Sequence, residues 1–367
     1  MGLTNRGWDL PEKNLTLPKY LKQHGYSTHL IGLQHVHKEA KQIGYDTVSS
    51  RFDAPFFAEK VSKRFAKYLR LVNKGQIPQP FYFDVGFFEA HRPFFNGFFQ
   101  HLPAKEFILP PYLIAEAGTK KEINIFAKKV SAVDKAVGKI MELVENSNLK
   151  NNTIIIFTTD HGWAFPRAKG TLYDAGLRTC FLMYWPEHIE GGKTYSELIS
   201  NIDLFPTIAE IIGKPLPEEI QKEIQGQNFF PLISKLAPSC NFRPREEIYA
   251  EMTFHDQGYN PMRAVRTKKW KYIHNFTDCN GTQFQIPRDF INAPSGKAYK
   301  NAHPEYFTPR LTEELYNLEE DPNEFKNLAL DAKYANILQE LRQKVHAHMD
   351  RIRDPLLQGK IEEKIRS

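Results

Sequence analysis

The feature that most constrains this chain is a helical stripe followed at once by a β-branched run. Between Lys120 and Asn146 the apolar positions Ile123, Phe126, Val130, Val133, Val137, Ile140 and Val144 recur at steps of three and four, which puts them on one face of a long helix. After the polar turn Lys150-Asn151-Asn152 comes Thr153-Ile154-Ile155-Ile156-Phe157, with no polar alternation. Such a run predicts a strand covered on both faces, as in a parallel sheet. Helix, short loop and buried strand form half of a βαβ unit. The pattern recurs where the helical stretch Leu17 to Lys22 leads into Thr28 to Gly32, and Phe81 to Phe88 supplies another apolar run. Residues 1–235 therefore read as an α/β domain with a mainly parallel central sheet flanked by helices.

The texture changes after Leu236. Met262 to Ile273 reads as an irregularly alternating basic strand, Leu315 to Pro322 as a short strand entering a turn, and Tyr334 to Ile352 as an amphipathic helix. Residues 236–367 thus form a smaller C-terminal α+β subdomain.

With 367 residues, 41% apolar and 25% charged, the chain can bury a sizeable core, and disordered, collagenous and coiled-coil classes are excluded. No apolar run approaches the roughly 18 residues of a membrane span, and the N-terminal stretch lacks the basic-then-apolar order of a signal peptide. A net charge of +6 favours an anionic ligand but is too small and dispersed for a nucleic-acid footprint. Cys180, Cys240 and Cys279 are spaced too widely for a zinc ribbon or a redox pair. Asn14, Asn151, Asn275 and Asn280 stand in Asn-x-Ser/Thr sequons, which matter only in a secretory eukaryotic context.

Ligands of open α/β sheets bind beyond the carboxyl ends of the strands. There the chain offers Leu33-Gln34-His35-Val36-His37, Glu89-Ala90-His91-Arg92-Pro93 and Thr158-Thr159-Asp160-His161-Gly162. A carboxylate beside an imidazole can take a divalent cation, with Gly162 letting the backbone turn away. The bland alternative is a strand-closing turn, with packed histidines elsewhere. Arg167 and Lys169, in a loop bounded by Pro166 and Gly170, would suit a tetrahedral anion such as sulfate or phosphate.

Thr158 to Gly162, followed by Lys169 and then Tyr173-Asp174-Ala175-Gly176-Leu177-Arg178, resembles the second signature region of the sulfatases, in the alkaline phosphatase superfamily. Ala164 to Lys169 with Leu172-Tyr173 is most similar to the branch containing heparan N-sulfatase and its bacterial relatives. The resemblance runs along nearly the whole chain, through Leu17-Pro18 to Thr28, Asn201 to Thr207, Arg263 to Thr267, and Glu314 to Leu318 with Asp321-Pro322.

That resemblance implies an alkaline-phosphatase-like fold and roles for individual residues. Asp160 and His161 would bind a divalent cation, calcium in this family. Lys169 would contact the sulfate, and His91 would bind sulfate or protonate the leaving group. His35 would help position the nucleophile. Glu251, His255 and Arg263 are candidates for contacting the sugar, or solvated polar residues around a hairpin. Arg167, like Arg92, either binds sulfate or pairs with a carboxylate, Glu89 for Arg92 and Asp174 for Arg167. Lys268, Lys269 and Lys271 read as a solvated strand face.

Two departures stand out. Leu33 occupies the place of the lysine in the family's Gly-Lys-x-His segment. No cysteine or serine begins a Cys/Ser-x-Pro/Ala-x-Arg motif, from which the formylglycine nucleophile is made, and the family's paired aspartates of the first strand would lie upstream of Met1. The expectation is therefore a sulfatase-like hydrolase of sulfate esters or N-sulfates on glycans, lacking its first strand region, with an exposed sheet edge and little or no turnover by this polypeptide alone. The alternatives are a non-catalytic relative that binds sulfated glycans, and a phosphatase or phosphodiesterase of the same superfamily, which would need more metal-binding histidines and aspartates. Family members are usually exported to the periplasm, the lysosome or the cell exterior.

Overall fold

The computed structural model describes residues 10–49, 57–94, 107–235, 242–255, 258–276, 287–307 and 310–362. The expected boundary near residue 236 lies outside these residues, as do Cys240, Cys279 and Asn280.

Helix α1 (Leu17–Gln23) starts at Thr16, whose side chain accepts from the Lys19 amide, with proline in its first turn. It feeds β1 (Ser27–Gly32), flanked by β2 (Thr47–Ser49) and β3 (Phe81–Gly86), both parallel to it. All six positions of β1 are buried, as befits a strand paired on two sides and covered on two faces. Successive side chains face opposite ways: Leu30 meets Ala40, Ile43 and Tyr45, whereas Ile31 enters the core under α2 (Ala58–Asn73) and α3 (Ala117–Glu145). Val61, Phe65 and Leu69 of α2 and Ile140 and Val144 of α3 close that core. The predicted stripe on α3 holds at Ile123, Phe126, Ile140 and Val144, but Val130 is 43% exposed.

The run at 153–157 forms β4 (Ile155–Thr158), but its described pairing differs from the expectation: it is antiparallel to β5 (Phe181–Tyr184), and its positions are only partly buried or exposed. Thr159 N donates to Cys180 O at 3.3 Å, so the long loop between the two strands brings β5 straight back alongside β4. An unbroken apolar run marks a strand and carries no information on the direction of its neighbour. Ile155 packs into the same core as Phe81, Phe83 and Val85 of β3, so α2 and α3 roof both sheets. Among the described pairings, β3 bonds on its β1 side and β4 on its β5 side.

Short helices α4 (Asp174–Leu177), α5 (Leu204–Ile211), α6 (Glu218–Glu223) and α7 (Phe230–Ile233) complete this region, with Ala209 of α5 packed against Tyr20 and Leu21 of α1. The C-terminal part is an antiparallel meander of β6 (Glu247–His255), β7 (Gly258–Thr267), β8 (Trp270–Asn275) and β9 (Glu313–Asn317). Helices α8 (Arg288–Ile291) and α9 (Pro294–Ala302) lie between β8 and β9, and α10 (Ala335–Ile352) lays Leu338, Leu341, Val345 and Met349 on Val265, Tyr272 and Leu315.

The segment read as one basic strand is thus two, turning at Lys268-Lys269. Lys271 corrects the solvated-face reading: none of its side chain is exposed, and its ammonium lies 2.5 Å from Asp174 and 3.1 Å from Glu324. Burial without those two carboxylates would be prohibitive. Asn275 is also fully buried, donating to Leu311 O and Glu314, which removes it as a glycan acceptor. Among the described residues no helix is long and apolar enough to cross a membrane.

Candidate active site

The carboxyl ends of β1 and β3 are held unusually close. A Cβ on Gly86 would meet Leu33 O at 1.9 Å, and one on Gly32 would meet Gly86 O at 2.0 Å, so both positions need glycine for the approach. The segments that leave these strands therefore stay together, and the rings of His35 and His91 meet edge to face at 5.5 Å. His91 also stacks on Phe88 at 5.2 Å. Its Nδ1 bonds Arg92 O; a carbonyl only accepts, so Nδ1 carries the hydrogen and Nε2 is the ring's acid–base atom.

Arg92 fastens this segment to the loop after β4. Its Nε donates to Ala164 O at 2.7 Å, and its guanidinium pairs with Glu122 at 2.7 Å and lies over the rings of Phe94 (4.3 Å), Phe165 (4.9 Å) and Phe290 (5.6 Å). The carboxylate partner is Glu122 on α3, not Glu89. Glu89 instead accepts from Ala58 N at the start of α2, and burial pushes its carboxyl up despite the backbone amides and the nearby Lys129.

The loop after β4 folds on itself. Gly162 N donates to Gly176 O at 2.8 Å, and a Cβ on Gly162 would meet Ala175 O at 1.9 Å. Glycine is needed here for close approach, where the sequence suggested only a sharp turn. Lys169 N donates to Trp163 O at 3.2 Å, which returns the chain to the start of the loop that follows the Asp160–His161 turn. Those two side chains are 86% and 40% exposed, with His161 Nε2 3.5 Å from Asp160 Oδ2.

Lys169 is buried, and its ammonium lies 2.7 Å from Asp289 Oδ2. Asp289 sits on α8, a position that sequence patterning did not single out; Pro287 just before it packs on Gly170. Burial works against its charge, but the Lys169 hydrogen bond and charge, with His255 and Arg92 nearby, hold its carboxyl below the ordinary range. His255 belongs to the same group, its Cδ2 3.6 Å from where a Gly170 Cβ would lie.

Three predicted residues are engaged by protein groups. Arg167 is buried, donates to Asn323 O and Glu324 O, and lies 4.1 Å over the Tyr173 ring; Asp174 pairs instead with Lys271 and Arg266. Arg263 is buried in a two-pronged pair with Asp354, at 2.5 and 3.0 Å. Glu251, its cross-strand neighbour, is 62% exposed and 3.6 Å from its Nε. A cleft of about 280 Å³ lies between Arg167, Tyr173 and Arg178 on one side and the Pro322–Glu324 turn on the other.

Among the described residues no three His, Cys, Asp or Glu side chains gather as a metal cage. Calcium takes about six to eight oxygen ligands. One exposed carboxylate and one imidazole do not fit that ion unaided.

Residues 1–214 match the family profile described as Sulfatase. This chain belongs to the sulfatase family. Residues 159–294 match the profile described as N-sulphoglucosamine sulphohydrolase, C-terminal. Among curated relatives, an ulvan-active sulfatase of Formosa agariphila is 30% identical over 68% of this chain and 41% of its own length. Human N-sulphoglucosamine sulphohydrolase is 26% identical over 96% of this chain and 78% of its own length. The sulfatase-family chain thus spans about two-fifths of the first relative and over three-quarters of the second. A protein of multiple-glycosaminoglycan metabolism in Bacteroides thetaiotaomicron superposes with a TM-score of 0.74 at 18% identity, covering 98% of this chain and 83% of that one. A structure in complex with its substrate D-glucosamine-2-N,6-O-disulfate superposes with a TM-score of 0.68 at 17% identity, covering 94% and 84%. These likenesses establish the fold as the α/β, alkaline-phosphatase-like architecture of the sulfatases.

Proposed function

We propose that this chain supplies the sulfuryl-recognising groups of a hydrolase acting on sulfate esters or N-sulfates of glycans. The observation that carries the reading is the 2.7 Å bond from Arg92 Nε to Ala164 O, which joins the segment bearing His91 to the loop bearing Lys169. Lys169 then offers a buried cation to a sulfuryl oxygen, where low polarity makes the attraction count. His91 Nε2 moves the proton of the leaving oxygen or nitrogen, and His35 buttresses its ring. His255, beside Lys169, and Glu251 face the sugar; Arg167 and Arg263 shape the walls through their protein partners. Asp160 and His161 would be two of the donors to a divalent cation, fewer than calcium takes. The boundary near residue 236 separates the catalytic α/β region from the subdomain that walls the sugar.

The 367 residues contain no formylglycine precursor motif, so this polypeptide by itself binds sulfated sugar and releases no sulfate. Calorimetric titration with glucosamine N-sulfate, beside a sulfate-release assay, tests this. The expected result is saturable binding without release, weakened at least about tenfold in Lys169→Ala. Binding indifferent to Lys169→Ala and His91→Ala in folded variants defeats the assignment.

A further inference from the structure

The ammonium of Lys169 meets a carboxylate before it meets any ligand. Lys169 and Asp289 are 7% and 17% exposed in their side chains and 2.7 Å apart, so the pair carries little net positive charge towards an arriving sulfate. A sulfate that approaches Lys169 also approaches Asp289, and two anions in so buried a setting repel. Asp289 Oδ1 adds a second fact: it is buried and has no hydrogen-bond partner among the described residues. A buried carboxylate oxygen without a donor is costly, and a ligand donor is one way to satisfy it. The surroundings prevent the carboxylate from swinging away, because Pro287 is packed on Gly170 and Phe290 is fully buried beneath Arg92.

We propose that Asp289 is a specificity-determining residue that admits sulfated sugars carrying a hydrogen-bond donor, an N–H or a hydroxyl, at or beside the sulfated atom. The inference rests on the sulfuryl reading of Lys169 given above. A donor-bearing substrate satisfies Oδ1 while its sulfuryl oxygens share Lys169, so the carboxylate turns from a repulsive group into an acceptor. An aryl sulfate brings the anion without the donor and pays only the repulsion. Asp289 is ionised for this role at neutral pH, its carboxyl being held low by Lys169 against the effect of burial.

Calorimetry on the full chain with glucosamine N-sulfate, glucose 3-sulfate and 4-nitrophenyl sulfate, at fixed ionic strength, tests this. The parent chain is expected to bind at least one of the two sugars about tenfold more tightly than the aryl sulfate, the factor that a hydrogen bond to a charged acceptor supplies. Tighter binding of the N-sulfate than of the 3-sulfate assigns the donor to N–H; equal binding assigns it to a hydroxyl. Asp289→Ala is expected to bind the aryl sulfate more tightly than the parent and to bring the three affinities within about threefold. Asp289→Asn, of nearly the same shape, carries the test if the alanine variant does not fold. Retention of the tenfold order in the folded variants, or a parallel loss of all three ligands, overturns the inference. Should Lys169→Ala leave all three affinities unchanged, the sulfuryl reading itself fails; should it weaken them while the Asp289 variants keep the order, only the role of Asp289 fails.

Discussion

Arg92 Nε donates to Ala164 O at 2.7 Å, across 72 residues of sequence, and this bond ties the end of β3 to the loop that follows β4. The same side chain neutralises Glu122, which is itself buried and accepts from Ser295 N at 2.7 Å. Arg92→Ala therefore leaves a buried carboxylate unpaired and is expected to cost about 3–5 kcal/mol in urea unfolding. Arg92→Lys restores the charge without the planar fork and should recover part of that loss. An alanine variant as stable as the parent would refute the account.

The Asp160–His161 turn depends on the close approach of Gly162 to Ala175 O. Gly162→Ala forces that contact apart and is expected to destabilise the chain by about 1–3 kcal/mol. The alanine variant should also weaken glucosamine N-sulfate binding, whereas Gly138→Ala, on the open side of α3, should leave the affinity unchanged. Equal affinities in the two variants would show that the turn does not shape the pocket.

Lys271, Asp174 and Glu324 form a buried ionic joint between the site loop and the C-terminal sheet. Burial pushes the Glu324 carboxyl up, and the attraction of Lys271 only partly offsets it, whereas Lys271 and Arg266 outweigh burial at Asp174. Removing the cation in Lys271→Met leaves Glu324 without its cation and Asp174 with Arg266 alone, and should cost about 3–5 kcal/mol. The triple replacement Lys271→Met, Asp174→Asn, Glu324→Gln removes the three buried charges, leaving Arg266 to reach solvent at the edge, and should recover much of the loss. Urea midpoints of the single and triple variants decide this, and equal losses in both would contradict it.

His348 stacks on Tyr249 at 3.8 Å, and its pKa is lowered to about 4 by burial first and then by Arg351 and Arg263, against the pull of Asp354. The folded state thus prefers the neutral ring relative to the unfolded value of about 6.5. This contribution is therefore complete above about pH 6.5 and is lost as the pH falls towards 4. After allowance for solvent screening of a half-buried ring, the loss is about 1–2 kcal/mol. Unfolding midpoints of the parent and His348→Gln should converge on acidification through that window, and a constant gap would rule the effect out.

Local patterning carried much of the fold. The helices α3 and α10, the strands β1 and β3, and the histidines at their ends follow from periodicity and from the rule that open sheets bind at their carboxyl edge. What the sequence hid was pairing at a distance. Lys271 looks like one more cation on an exposed strand until Asp174, 97 residues away, is seen beneath it. Arg263 finds Asp354 91 residues on, a buried pair that neither local sequence announces. Asp289 sits in a stretch with no motif, and its meaning comes only from meeting Lys169 across 120 residues. The direction of β4 was hidden for another reason, since apolar runs record burial and not neighbours.

The Pro322–Glu324 turn is held to the site loop twice, by Arg167 reaching the carbonyls of Asn323 and Glu324 and by Lys271 bridging Asp174 to Glu324. A saturation mutagenesis map of ligand retention will therefore mark this distant bend as strongly as the pocket itself. Sorting the two classes needs an abundance measurement beside the ligand readout: lesions of the bend should deplete folded protein, and lesions of the pocket should leave it plentiful but blind to sulfate.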